Sequence, residues 1–272
     1  MPELPEVQTV VNFIKNKLIK KNIIKIVPVW PKVFDNFSEH DFYSKVKNTK
    51  IIDVKRRAKF IIIELENFIL AIHLRMTGKL YFVSKGLPKH TSAIIQLNSN
   101  KTLIFEDVRK FGRFYLYNDL ETINKRHGYE PLSESFTKEI FLEILNSCKR
   151  GIKSLLLDQS KVVGLGNIYV DESLWLSRIH PKSISNKIPQ KKVFILYNSI
   201  RHVLLKAISN NGTTIINYTY TEGKTGNNAD ELNIYGKKGF TCRVCNTTIK
   251  KIKVSNRGTY ICKCQKIHSA KK

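Results

Sequence analysis

Acidic residues are scarce in this 272-residue chain: 22 Asp and Glu stand against 47 Lys and Arg, for a formal net charge of +25. Long apolar runs are missing as well. No stretch approaches the roughly 18 consecutive apolar residues that a membrane-spanning helix needs, which excludes one. The opening residues carry Glu3 and Glu6 where a secretory leader would carry basic residues before an apolar run, so no leader is expected. Cysteine is limited to 5, an odd number, and four of them fall between positions 242 and 264. That distribution excludes a disulfide framework and points to a metal site in a reducing compartment. With 8 Pro, 13 Gly and no internal repeat, the chain is neither low-complexity nor collagen-like. What remains is ordinary: 42% hydrophobic and 25% charged residues leave ample material for a core and exclude a wholly disordered chain.

The surplus of positive charge needs a partner, because it costs self-repulsion in a compact state and attracts polyanions. A membrane-surface protein would concentrate it on an amphipathic helix or beside an apolar face. Here Lys and Arg recur along the whole chain, around 55–59, 149–153, 187–192 and 237–253. Dispersed charge suits a long footprint on nucleic-acid phosphates and no membrane contact. Charge alone indicates a binder and says nothing of catalysis.

The hydrophobic pattern predicts an α+β chain. Leu4, Val7, Val10, Val11, Ile14 and Leu18 are spaced by three and four and mark a helix face, with Pro5 in a first turn that tolerates it. Short β-rich runs follow at 23–29, 51–54, 60–65, 68–74, 80–83, 93–97, 103–105 and 114–117, separated by turn residues. Such a series reads as an antiparallel β-sandwich or barrel flanked by helices. From Phe136 the period becomes helical, through Ile140, Ile144 and Leu145, then 155–157 and 168–176, then a stripe from Val193 to Ile208. A polar, Asn- and Gly-rich loop is expected over 210–228, of a length that marks a functional or a disordered segment. Residues 240–267 read as a β-hairpin carrying the cysteines. The domains are accordingly placed at 1–131, 132–235 and 236–272.

The first residues also read as a reagent. Removal of Met1 would expose Pro2 as a secondary amine able to attack an aldehyde-like carbon and form an iminium. An α-amino group titrates at about 7.7–8.0, so part of it is unprotonated at neutral pH. Read alone, the segment is more simply a helix start favouring Pro and acidic residues.

The start Pro2-Glu3-Leu4-Pro5-Glu6-Val7 resembles that of the bacterial formamidopyrimidine-DNA glycosylase family. The resemblance recurs in order at Arg57-Ala58-Lys59-Phe60, His73-Leu74-Arg75-Met76-Thr77-Gly78, Asp107-Val108-Arg109-Lys110-Phe111-Gly112 and Gly164-Leu165-Gly166-Asn167-Ile168-Tyr169, and at the cysteine hairpin. It covers essentially the whole chain. It implies an N-terminal β-sandwich, a helix–two-turn–helix domain and a C-terminal zinc-finger hairpin. It also implies a monomeric enzyme of the bacterial cytoplasm and nucleoid. That enzyme removes oxidised purines such as 8-oxoguanine from duplex DNA, then cleaves the strand at the abasic site by β,δ-elimination.

The resemblance distributes roles. Pro2 is the nucleophile at C1′ and Glu3 its acid partner at the sugar, while Glu6 holds the active-site end in place. Lys59, otherwise an ordinary basic residue after Arg57, donates a proton during β-elimination and contacts phosphate. Met76, Arg109 and Phe111 fill the space left when the damaged base is extruded, and Arg109 donates to the orphaned partner base, usually cytosine. By residue type Met76 and Phe111 would default to core, but Arg75, Gly78 and Gly112 beside them indicate loop tips. His73 and His90 fall among DNA contacts. Asn167, at a glycine-rich helix start that favours an anion, holds a phosphate, with Lys149 or Arg150 beside it. Asp158 and Glu172 read as structural. Arg257 grips phosphates during δ-elimination.

Cys242-x2-Cys245 has zinc-knuckle spacing. The family's second pair is C-x2-C-Q, whereas this chain has Cys262-Lys263-Cys264-Gln265, one residue shorter. Alternate residues of an extended strand share a face, so both sulfurs remain able to reach one metal, with His268 as a substitute ligand. Structural Zn²⁺ is expected, since four protein ligands leave no open position. Cys148 stands apart as a small apolar core residue. Two other readings stand beside this one. An endonuclease-eight-type relative for oxidised pyrimidines would usually carry Gly where Leu4 sits, and a non-catalytic zinc-hairpin binder would leave Pro2, Glu3 and Lys59 idle.

Overall fold

A computed structural model describes residues 2–84, 86–99, 101–214 and 224–269. The chain divides into two compact units, residues 1–125 with 208–229, and residues 126–207 with 230–272.

The first unit opens on α1 (Leu4–Leu18), whose apolar positions are buried as their spacing requires. The strands are β1 (Ile23–Pro28), β2 (Ile51–Arg57), β3 (Phe60–Leu65), β4 (Ile69–His73), β5 (Gly78–Val83), β6 (Thr91–Leu97), β7 (Thr102–Asp107) and β8 (Arg113–Tyr117). All eight expected runs became strands. They form two antiparallel four-stranded sheets, ordered β1-β6-β7-β5 and β2-β3-β4-β8. Val7, Val11 and Ile14 of α1 share one core with Ile61, Ile63 and Ile72 of one sheet and Ile95, Leu103 and Phe105 of the other, so the sheets pack as a sandwich. A short helix, α2 (Glu39–Lys45), precedes β2 and buries Phe42. It lacks a periodic apolar stripe and starts from a capping box, in which Ser38 and Asp41 satisfy each other's backbone N–H groups.

Helix α3 (Glu121–Arg126) ends the β-rich region. Beyond it lie α4 (Lys138–Asn146), α5 (Ile152–Leu156), α6 (Asn167–Leu176) and α7 (Gln190–Ser209), then the hairpin β9 (Lys250–Val254) and β10 (Arg257–Ile261). Ser255 and Asn256 join the two strands with φ of 51° and 57°, the left-handed pair of a two-residue hairpin turn. Helix α6 is buried on every side from Ile168 to Trp175, so its acids Asp171 and Glu172 must find partners inside the protein. Glu172 receives the N–H groups of Asn233, Ile234 and Tyr235 at 2.8–3.0 Å, consistent with a structural role. Among the described residues no helix is long and apolar enough to cross a membrane.

Candidate active site and nucleic-acid interface

In the first unit Pro2 and Glu3 are buried at the mouth of α1. The Glu6 carboxylate holds this end: Oε2 accepts the Glu3 N–H at 2.8 Å, and Oε1 accepts the Thr213 N–H at 2.8 Å. A buried carboxylate requires such donors, and these two tie the helix start to the base of the 210–228 loop. Asn228 Nδ2 donates to Thr213 Oγ1 and the Gly226 N–H to Thr214 Oγ1, each at 2.8 Å, closing the loop at its foot. Residues 215–223 of that loop lie outside the described residues.

Lys59 occupies the two-residue turn between β2 and β3, beside Ala58 at φ 53°, and is only 8% exposed. Gln8 Oε1 of α1 accepts Arg56 Nε–H at 3.1 Å, and Arg56 Nη1 donates to the Ala58 carbonyl at 2.9 Å. These bonds tie α1 to the turn that carries Lys59. His73 closes β4, with its ring edge-on to Phe60 at 4.6 Å and Nδ1 accepting the Arg75 N–H at 3.0 Å.

Met76, Arg109 and Phe111 stand on two loop tips. Met76 is 39% and Phe111 47% exposed, and the Arg109 guanidinium rests over the Phe111 ring at 4.6 Å. Apolar side chains this exposed contribute nothing to the core and are available to a partner. His90 lies in the turn before β6, and its carbonyl accepts the Asp107 N–H at 3.0 Å.

In the second unit Asn167 is the first residue of α6, after Gly166 at the N-cap. One proton of its amide nitrogen goes to the Gly258 carbonyl at 3.0 Å, and an amide nitrogen carries two. Arg150 is paired with Asp158 at 2.6 Å, consistent with a structural aspartate, whereas Lys149 is exposed. Arg257, the first residue of β10, is exposed. Cys148 is half-buried, short of the core position expected for it.

The sulfurs of Cys242, Cys245, Cys262 and Cys264 lie within 4.8 Å of one another. Tetrahedral zinc with bonds of about 2.3 Å needs sulfurs about 3.8 Å apart, so the four fit such an ion. Donors also point at the sulfurs: Trp175 Nε1–H to Cys242 at 3.4 Å, and Arg178 Nη1–H to Cys264 at 2.9 Å. The hydrogen bond with Thr247 leads in pushing the Cys245 thiol down to about 6, while burial pushes Cys262 and Cys264 up. The shortened second pair converges for a reason other than a shared strand face. β10 ends at Ile261, and Cys264 lies in a turn closed by the Cys262 N–H donating to Gln265 Oε1 at 3.1 Å. His268 is not in the cluster; its N–H donates to Ser183 Oγ at 3.0 Å.

Composition gave no sign of a buried ion pair. Lys153 of α5 and Asp171 of α6 are 0% exposed and 2.6 Å apart; Lys153 Nζ also donates to Thr259 Oγ1 at 2.8 Å, and Asp171 Oδ2 accepts the Tyr260 N–H at 3.0 Å. The pair joins β10 to two helices of its own unit. Burial pushes the Asp171 carboxyl up to about 6, against the Lys153 charge. Asp171→Asn strands a buried ammonium and is expected to cost about 3–5 kcal/mol. In thermal melts that is a fall of roughly 10 °C. The joint exchange Lys153→Met with Asp171→Leu is expected to restore most of it.

Comparison with known proteins gives a consistent result. Residues 1–114 match the family profile "Formamidopyrimidine-DNA glycosylase N-terminal domain", and residues 127–219 match "Formamidopyrimidine-DNA glycosylase H2TH domain". A formamidopyrimidine-DNA glycosylase of Protochlamydia amoebophila is 44% identical over 98% of this chain and 100% of its own length. One of Herpetosiphon aurantiacus is 40% identical over 96% and 98%. Among solved structures, Lactococcus lactis Fpg bound to DNA containing N7-benzyl-Fapy-dG superposes with a TM-score of 0.89 at 36% identity, covering 97% of this chain and 99% of that one. MutM in complex with carbocyclic 8-oxo-G DNA gives a TM-score of 0.89 at 37% identity, with the same coverage.

Proposed function

The chain belongs to the formamidopyrimidine-DNA glycosylase family, and we infer that it excises oxidised purines, 8-oxoguanine and formamidopyrimidines among them, from duplex DNA and then cleaves the strand as an abasic-site lyase. The observation that carries the chemistry is the buried Pro2-Glu3 start of α1, held by Glu6, in a chain that bears exposed Met76 and Phe111 on two loop tips.

Once Met1 is removed, the Pro2 nitrogen uses its lone pair to attack C1′ of the damaged nucleotide. The glycosidic bond breaks, its electron pair leaves with the base, and the base takes up a proton. The Pro2 nitrogen gives up its N–H proton, Glu3 protonates O4′ as the C1′–O4′ bond breaks and opens the sugar, and the resulting iminium acts as an electron sink. Loss of a C2′ proton expels the 3′ phosphate, and the second elimination expels the 5′ phosphate. Lys59 donates a proton and contacts phosphate in the first elimination, and Arg257 grips phosphate in the second. Met76 and Phe111 replace the lost stacking, and Arg109 donates to the partner base. His73, His90, Lys149 and Asn167 hold the strand around the lesion.

Cys242, Cys245, Cys262 and Cys264 would hold Zn²⁺ as a structural cross-link of the hairpin, with no open position for chemistry. The three-part division at 1–131, 132–235 and 236–272 is our reading of the domains, and we read the enzyme as a monomer acting on DNA of the nucleoid, in the cytoplasm. Endonuclease-eight-type specificity is disfavoured by Leu4.

The reading is tested by incubating the protein with duplexes carrying 8-oxoguanine or an oxidised pyrimidine, in the presence of borohydride. A covalent crosslink to the first duplex, well above that to the second, is expected; equal or reversed preference would overturn the assignment. Binding to an abasic-analogue duplex is also expected to weaken with salt. If six phosphates are contacted, affinity falls by roughly a thousandfold between low and moderate salt, and an unchanged affinity would rule out the phosphate footprint.

A further inference from the structure

The two loop tips that bear Met76 and Phe111 are joined beneath by one carboxylate. Asp107 ends β7 and is 0% exposed. Its Oδ1 accepts the Thr77 hydroxyl at 2.5 Å and the Arg109 N–H at 3.2 Å, and its Oδ2 accepts the Gly112 N–H at 2.7 Å. Thr77 Oγ1 also accepts the Arg109 N–H, at 3.1 Å. Thr77 belongs to the Met76 loop, whereas Arg109 and Gly112 belong to the Phe111 loop. Both loops close over the same ring: a Cβ on Gly78 would stand 2.9 Å, and one on Gly112 2.2 Å, from the side chain of Phe105. Each tip holds a non-glycine residue in the left-handed region, Arg75 at φ 55° beside Met76 and Lys110 at φ 56° between Arg109 and Phe111. Such conformations persist only where the surroundings over-determine them.

We propose that Asp107 and Thr77 are positioning residues that lock the two tips into one rigid wedge, so that Met76, Arg109 and Phe111 enter the duplex in a fixed register. The inference rests on the reading of those three side chains as the wedge. Three donors converge on Asp107, so the site requires acceptors at both oxygens, which a carboxylate side chain offers. An Asn there would turn its amide protons toward the Gly112 N–H or toward the Thr77 and Arg109 donors. The Thr77 hydroxyl is the tie between loops: it donates across to Asp107 while accepting from Arg109. A rigid wedge pre-forms the geometry that extrusion and partner reading require, and a loose one must order itself at each encounter. Chemistry at Pro2 lies downstream of that step.

Thr77→Val removes the hydroxyl at nearly constant shape, and Thr77→Ser keeps it. For Thr77→Val, single-turnover excision of 8-oxoguanine opposite cytosine is expected to slow about tenfold, and the preference for cytosine over adenine as partner base to shrink. Borohydride trapping on a duplex with a preformed abasic site is expected to stay near wild type. Thr77→Ser should retain rate and preference, and Asp107→Asn should reproduce the Thr77→Val pattern more strongly. A Thr77→Val protein with wild-type rate and preference would overturn the proposal. So would one whose excision and abasic trapping fall by the same factor, which is the mark of a general structural loss. An Arg109→Ala variant separates the premise: if it keeps the full cytosine preference, the wedge reading itself is overturned.

Discussion

A Pro2→Gly variant, with its initiator methionine removed, is expected to lose borohydride trapping on 8-oxoguanine duplexes by roughly a hundredfold or more, about 3 kcal/mol of transition-state stabilisation. A secondary amine that condenses with a sugar carbon gives an iminium with no N–H to lose. The charge is therefore permanent until water or elimination resolves it. A primary amine gives an imine that is cationic only while protonated, and is the weaker electron sink. The pyrrolidine ring also prevents rotation about the N–Cα bond, so the lone pair of Pro2 meets the sugar with fewer orientations to discard. Glycine forfeits both advantages. The burial of Pro2 and the grip of Glu6 on the Glu3 N–H remain, so the variant is expected to fold and bind normally. Glu3→Gln divides the reaction differently. Base excision is expected to fall by about 10²–10⁴, the range for a missing general acid, while cleavage of a preformed abasic site persists in part. Intact-mass measurement completes the test: protein that retains Met1 and still nicks damaged duplexes at full rate would exclude Pro2 as the nucleophile.

Periodicity alone was enough to read the first helix and the eight strands, because each contributes buried apolar residues to a single core shared by α1 and both sheets. Helix α2 escaped that reading since only Phe42 of its seven residues is buried; the signal present was the Ser38-to-Asp41 capping box, which is local chemistry and not period. The site divides the same way. Pro2, Lys59 and Asn167 are individually unremarkable residues, and only the ordered recurrence of family motifs gave them roles. Met76 and Phe111 were legible as loop tips from their glycine neighbours. What no pattern disclosed was the polar framework beneath: the Lys153–Asp171 pair and the Asp107–Thr77 joint are made by residues far apart in sequence, whose value depends on burial. The hairpin was legible as a metal site, but the strand-face argument for its second cysteine pair gave way to a turn, since Cys264 lies beyond the end of β10.

That turn decides what metal removal does. The hairpin β9–β10 has two strands, and an isolated two-stranded hairpin is marginal in water. Its supports within its own unit are the Asn167 bond to Gly258, the Lys153–Asp171 contacts with Thr259 and Tyr260, and a small core of Trp175, Ile234, Ile249 and the cysteines. The hydrogen bonds contribute about 1 kcal/mol each, and the core would lose its cross-link if a bound ion were removed. A structural zinc site binds with roughly 10–16 kcal/mol of apparent free energy, so the metal term outweighs the others together. Exhaustive chelation, or Cys264→Ser, is therefore expected to melt the hairpin while the β-sandwich core persists. DNA affinity should drop at least tenfold and the salt slope should shrink by about one, since Arg257 no longer presents its charge at the first position of β10. Metal analysis of the native protein should return a single zinc ion per chain. His268→Ala should keep it, because the backbone of His268 is engaged with Ser183 and its ring is outside the sulfur cluster. Full zinc content and wild-type affinity in Cys264→Ser, with both lost in His268→Ala, would transfer the fourth ligand to the histidine and overturn the four-cysteine site.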